Sequence, residues 1–62
     1  MPIVQIDFIE GRTVEQKREL VRKVTQAICE SVDCPAEAVS IILRDVPKTN
    51  IARAGILRSD NK

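Results

Sequence analysis

The groups that could do chemistry in this chain are few. It contains no histidine, tyrosine or tryptophan. Ser/His/Asp and Cys/His nucleophile systems are therefore excluded, and neither a phosphate loop nor a dinucleotide fingerprint is present. Carboxylates, arginines, Cys29, Cys34 and one unusual group, Pro2, remain. Methionine is commonly removed when the next residue is small, and proline qualifies. Loss of Met1 would leave a secondary amine that is part of the backbone and rigidly placed. An α-amino group titrates near pH ~8 in reference peptides. A low-dielectric pocket and neighbouring arginines both disfavour its protonated form. The product is a general base poised near neutral pH. While Met1 stays attached the nitrogen is an amide, and Met1-Pro2 is then only an ordinary strand start. Arg12, after Gly11, could fork onto a carboxylate, although a lone turn arginine is more often simply solvated.

The elements that must position these groups follow from periodicity. Residues 2–9 alternate, with Val4, Ile6 and Phe8 on one face and Ile3, Gln5, Asp7 and Ile9 on the other, which predicts a strand. Pro2 stands first, where its missing N–H does least harm. Glu10-Gly11-Arg12 is a turn. Thr13, with Gln16 three residues on, has the spacing of a capping box, and a helix is expected from Val14 to about Val32. Leu20, Val21, Val24, Ala27, Ile28 and Val32 form its apolar stripe. Glu15, Lys17, Arg18, Glu19, Arg22, Lys23 and Glu30 lie mostly off it. Asp33-Cys34-Pro35 ends the helix, with one further turn over 35–38. A second strand is expected over Val39–Val46, broken by Pro47-Lys48-Thr49-Asn50. Ile51–Leu57, with Gly55 inside, reads as a loop or small hairpin packed on a neighbouring chain, and Arg58–Lys62 as a polar tail.

Strand, helix, strand in that order is an α/β (α+β) fold: one parallel β-α-β crossover with right-handed connection expected, in a single domain over 1–62. The chain has only 62 residues, and a domain of that length buries only about 60% of the surface its unfolded chain exposes. Two strands and one helix leave exposed sheet edges and one uncovered face, which joining to other chains would cure. Other staples are not expected. With no His and two Cys a Cys/His zinc site is not anticipated, and a Cys29–Cys34 bridge would constrain little of the unfolded chain. The two thiols read as small, half-buried residues at a helix end.

Composition narrows the partners. Lys plus Arg number 10 against Asp plus Glu 9, so no electrostatic grip on nucleic acid or anionic lipid is indicated. Phe8 alone makes no stacking platform for single strands. No apolar run approaches the ~20 residues of a membrane span, and Asp7 and Glu10 interrupt any secretory signal. Two unpaired thiols and no signal lead to the expectation of a cytoplasmic protein.

One run is specific. Pro2 after Met1, the strand Ile3-Val4-Gln5-Ile6, then Glu10-Gly11-Arg12-Thr13-Val14-Glu15-Gln16-Lys17 resembles the 4-oxalocrotonate tautomerase family, and the likeness extends over nearly the whole chain. The resemblance implies a homohexamer built as a trimer of dimers, with a C-terminal hairpin reaching a neighbour. It implies an isomerase without metal or cofactor. The amino-terminal proline, Pro2 here, takes a proton from a 2-hydroxydienoate or enol acid and returns one to a distant carbon. Arg12 matches the arginine that holds a substrate carboxylate. A second substrate-binding arginine of that family falls at Ser40, which carries no charge, and an aromatic wall residue falls at Ile51, which has no ring. Arg53, outside that pattern, is a candidate replacement for the lost charge; Arg44, roughly 13 Å along the strand from Ser40, ranks below it. Ser40 and Ile51 favour a monocarboxylic enol such as phenylenolpyruvate over the dicarboxylate. The competing expectation is a catalytically silent oligomer of the same fold, used for assembly or small-anion binding.

Overall fold

A computed structural model describes residues 1–61. Strand β1 spans Ile3–Ile9, helix α1 Val14–Val32, and strand β2 Ser40–Val46. A terminal hairpin follows, with β3 at Ala52–Arg53 and β4 at Ile56–Leu57.

Local chemistry sets the helix ends. The Gln16 N–H donates to Thr13 Oγ1 at 3.1 Å and the Thr13 N–H donates to Gln16 Oε1 at 2.9 Å, so the capping box is complete. Two of the helix's orphan donors are thereby satisfied. At the other end Asp33 adopts φ 54° in the left-handed region and stops the helix. Aspartate tolerates that conformation because its short polar side chain bonds locally. Pro35 then precedes a short 3-10 turn over Ala36–Ala38. Along the helix surface, Glu15 with Glu19 and Arg18 with Arg22 are like-charged pairs four residues apart, offset by opposite charges three apart. Arg18 pairs with Glu15 and Arg22 with Glu19, while Lys23 Nζ lies 3.5 Å from Glu19. The Arg22 guanidinium, hydrogen-bonded to Glu19, holds that carboxyl below its ordinary range.

β1 and β2 pair in parallel, in register from Ile3 with Ser40 to Ile9 with Val46. The ladder is closed at both ends, by Ser40 N–H to the Pro2 carbonyl and by Glu10 N–H to the Val46 carbonyl, each 3.0 Å. Val4, Ile6 and Phe8 of β1 and Ile41 and Leu43 of β2 turn one way and are half-buried, as are Leu20, Val21, Val24 and Ile28 of α1. No residue among those described is fully buried. A single chain therefore has a seam rather than a core.

Two members of the anticipated stripe lie outside that seam. Ala27 is exposed on the helix flank and Val32 is 59% exposed. Length explains Val32: 19 helical residues extend ~28 Å at 1.5 Å each, whereas seven-residue strands extend only ~20–23 Å. The helix outruns the sheet at both ends, and Val14 is 60% exposed for the same reason. Lys17, placed off the stripe by sequence, instead closes the seam. Its Nζ is 2.7 Å from Asp45 Oδ2 and 5.9 Å from the centroid of the Phe8 ring, and its stem covers the apolar faces between them.

The opposite sheet face is open. Ile3 is 67% and Ile42 44% exposed there. Between them and the strand ends, Arg44 forks onto Asp7 across the strands, Nε to Oδ1 at 2.7 Å and Nη2 to Oδ2 at 3.3 Å. The C-terminal segment is more ordered than a loop and tail. Ala54 and Gly55 take φ 54° and 79°, the two positive values of a tight hairpin turn. The Arg58 N–H extends the hairpin by donating to the Ile51 carbonyl at 2.8 Å. Residues Arg58–Asp60, expected as part of a polar tail, form a 3-10 turn; Lys62 lies outside the described residues. No helix among the described residues is long and apolar enough to cross a membrane.

Candidate active site

The residues singled out by sequence fall into three places. Pro2 and Ser40 meet at the start of the sheet. Pro2 is half-buried, and its carbonyl accepts the Ser40 N–H at 3.0 Å. Because β1 and β2 run parallel, both strands begin at this end, and the bond fixes the backbone one residue before β1. The pyrrolidine ring needs no side-chain torsion to be placed. Ser40 itself is exposed and on the open face, beside Ile3.

Arg12 stands at the other end of the sheet. Gly11 precedes it with φ 118°, a conformation open chiefly to glycine, so the chain can turn sharply from β1 into the capping box. Arg12 lines a depression of about 220 Å³ together with Phe8, Gln16, Lys17 and Leu20. Lys17 is already committed to Asp45, which leaves Arg12 as the cation free to meet an anion there; it makes no ion pair among the described residues.

Ile51 and Arg53 come together on the hairpin. They line a second cavity, about 310 Å³, with Ile9, Ile56, Arg58 and Asn61 among its other walls. Its floor includes Ile9, the last residue of β1, so this cavity also belongs to the end of the sheet away from Pro2. Arg58 was not singled out by sequence. Its signal was hairpin register, which needs the turn at Ala54-Gly55 to be known first. Arg44, the lower-ranked candidate, is occupied by Asp7. That pair is half-exposed on both sides and is worth less than about 1 kcal/mol.

One chain thus holds Pro2 apart from both sets of arginines. The six steps from Ile3 to Ile9 at ~3.3 Å each amount to ~20 Å, longer than any side chain. Within one chain Pro2 and these arginines cannot touch the same small molecule. Pro2 of one chain and the distal end of another could.

The thiols stand clear of these places. Cys29 and Cys34 are both free and half-buried at the end of α1. Desolvation, with Cys34 beside it, pushes the Cys29 thiol up, which keeps it protonated and poorly nucleophilic. Among the described residues no three His, Cys, Asp or Glu side chains gather as a metal ion would require.

Comparison with known proteins points in one direction. A family model described as tautomerase enzyme matches residues 2–61. The 2-hydroxymuconate tautomerase of Comamonas testosteroni is 45% identical over 56 residues, covering 90% of this chain and 89% of that protein. The 2-hydroxymuconate tautomerase of Pseudomonas sp. (strain CF600) is 44% identical over 55 residues, covering 89% and 87%. Among solved structures, a heterohexameric 4-oxalocrotonate tautomerase from Chloroflexus aurantiacus superposes with a TM-score of 0.89 at 34% identity, over the whole of both chains. The β-α-β unit with its short hairpin is the fold of these proteins, and the chain belongs to the tautomerase family of isomerases.

Proposed function

We propose that this chain is a cofactor-independent keto–enol tautomerase in which the Pro2 amine, freed by loss of Met1, is the general base. The observation that carries the proposal is the placement of Pro2. Its carbonyl is tied to Ser40 at 3.0 Å, so the ring nitrogen is held at the sheet terminus without rotamer freedom. A base placed in this way takes a proton from the hydroxyl of a small enol acid. The same nitrogen, now protonated, delivers a proton to a carbon further along the conjugated chain and leaves the ketone. Arg12 of a neighbouring chain holds a substrate carboxylate, as the separation of ~20 Å within one chain requires. Ser40 contributes a neutral hydrogen bond, Ile51 an apolar wall, and Arg53 a positive charge from the hairpin. The working unit is an assembly of several copies, six by likeness to the relative described as a heterohexamer. We place it in the cytoplasm on its two free thiols.

The test is ketonisation of 2-hydroxymuconate and phenylenolpyruvate, followed by ultraviolet absorbance, on protein shown by intact mass to lack Met1. Pro2→Ala should lower the rate on both substrates by roughly 10²–10⁴-fold, the usual range for general-base catalysis. An equal rate in the variant, whose own α-amine is primary and not held by a ring, would overturn the role given to the ring-fixed proline nitrogen.

A further inference from the structure

The hairpin carries an arrangement of charge that the proposed function uses only in part. Its register pairs Ala52 with Leu57 and Arg53 with Ile56, and the Arg58 N–H bonded to the Ile51 carbonyl extends that pairing by one more residue. Directly opposed residues share a face, and alternate residues return to it. Ile51, Arg53, Ile56 and Arg58 therefore lie on one face in a checkerboard, with the arginines on one diagonal and the isoleucines on the other. All four line the same cavity, with Ile9 and Asn61. Diagonal neighbours stand about 7–8 Å apart, which lets two guanidinium forks converge on a single carboxylate. Neither arginine is ion-paired among the described residues. Two like charges side by side, without a counter-charge, favour capture of an anion.

We infer that Arg53 and Arg58 form a carboxylate clamp whose ligand is the far acid group of a dicarboxylic enol, with the conjugated carbon chain lying on Ile9, Ile51 and Ile56. This rests on the tautomerase reading above and deepens it, because it selects among substrates that Pro2 alone would treat alike. It also reverses the preference for a monocarboxylate expected from Ser40 and Ile51. The chemistry follows from the cavity walls. A bidentate arginine contact suits the paired oxygens of a carboxylate, and three isoleucines accept an apolar spacer but offer it no hydrogen bond, which fits a carboxylate carried on a carbon chain.

Binding without turnover separates the clamp from the base. Adipate and hexanoate have the same carbon count and differ by one carboxylate, and neither has an enol to ketonise. Calorimetric titration of the assembled, Met1-free protein should give at least about tenfold tighter binding of adipate. Arg58→Ala and Arg53→Ala/Arg58→Ala should bring the two ligands within about twofold of each other, chiefly by weakening adipate. Arg58→Lys, which keeps the charge and loses the fork, should recover only part of the difference. In parallel, Arg58→Ala should raise KM for 2-hydroxymuconate and leave that for phenylenolpyruvate unchanged. Adipate preference that persists in the double variant overturns the clamp. Light scattering that finds either variant dissociated also overturns it, since the arginines then serve subunit contacts. Failure of the proline base would appear differently, as an unchanged rate in Pro2→Ala with the adipate preference intact.

Discussion

If the active site is shared between chains, two dead variants should revive each other. Pro2→Ala replaces the ring-fixed secondary amine proposed as the base with a primary amine that no ring holds, and Arg12→Ala removes the proposed carboxylate holder, so each alone should lower the activity of every site steeply. The two positions lie at opposite ends of β1, ~20 Å apart along the strand. Suppose that each site takes Pro2 from one chain and Arg12 from another. In an equal, randomly reassembled mixture, Pro2 comes from an Arg12→Ala chain in half of the sites. In half of those, Arg12 comes from a Pro2→Ala chain. About one quarter of the sites then hold both groups intact, as independent choice of neighbours in a symmetric oligomer requires. The assay is to unfold the two variants together, refold them, confirm mixed assemblies by native mass, and follow ketonisation of 2-hydroxymuconate. The expected rate is about a quarter of wild type per subunit. A mixture no more active than the variants refolded separately would refute the shared site and with it the role given to Arg12.

Two further outcomes follow from the fold. Thr13→Ala removes one half of the capping box and should lower stability to urea by about 1 kcal/mol, with Thr13→Ser retaining most of it; an unchanged midpoint would mean that tertiary packing alone fixes the start of α1. Ile42→Glu places a charge on the open sheet face, where Ile42 is 44% exposed in the single chain. If that face is an assembly surface, the variant should elute as smaller species by light scattering and lose activity with the assembly, whereas a stable, active oligomer would locate the interface elsewhere.

The sequence carried the framework to within a residue or so. Thr13 and Gln16 marked the helix start because a capping box is a local pattern, and Pro35 marked its end because proline cannot continue a helix. Alternation in β1 gave the correct inner face, Val4, Ile6 and Phe8. What the pattern could not give was relative length. Val32 satisfies the helical period but extends past a shorter sheet, and Lys17, in phase with Leu20, Val21 and Val24 but charged, closes the seam through Asp45. The candidate residues were legible in the sequence, but their arrangement was not. Pro2 and Arg12 stand ten positions apart in sequence, which says nothing of how far the intervening strand separates them in space. Arg58 was read as tail because its role depends on a two-residue turn at Ala54-Gly55, where an alanine adopts a positive φ that propensity alone does not favour. The open face and the absence of any buried residue among those described agree with the expectation that a chain of 62 residues gains from a partner.

The central claim concerns one atom, the nitrogen of Pro2, and it can be tested without changing any side chain. The same chain would be prepared in two forms, with Met1 retained by inhibiting the aminopeptidase during expression and with Met1 fully removed, each verified by intact mass and by assembly state. Ketonisation of 2-hydroxymuconate would then be measured on both forms and on known mixtures of the two. A free proline amine predicts activity that rises with the fraction of chains lacking Met1 and is near the buffer rate when Met1 is retained. Equal rates in the two forms would contradict it, because an amide nitrogen cannot accept the proton.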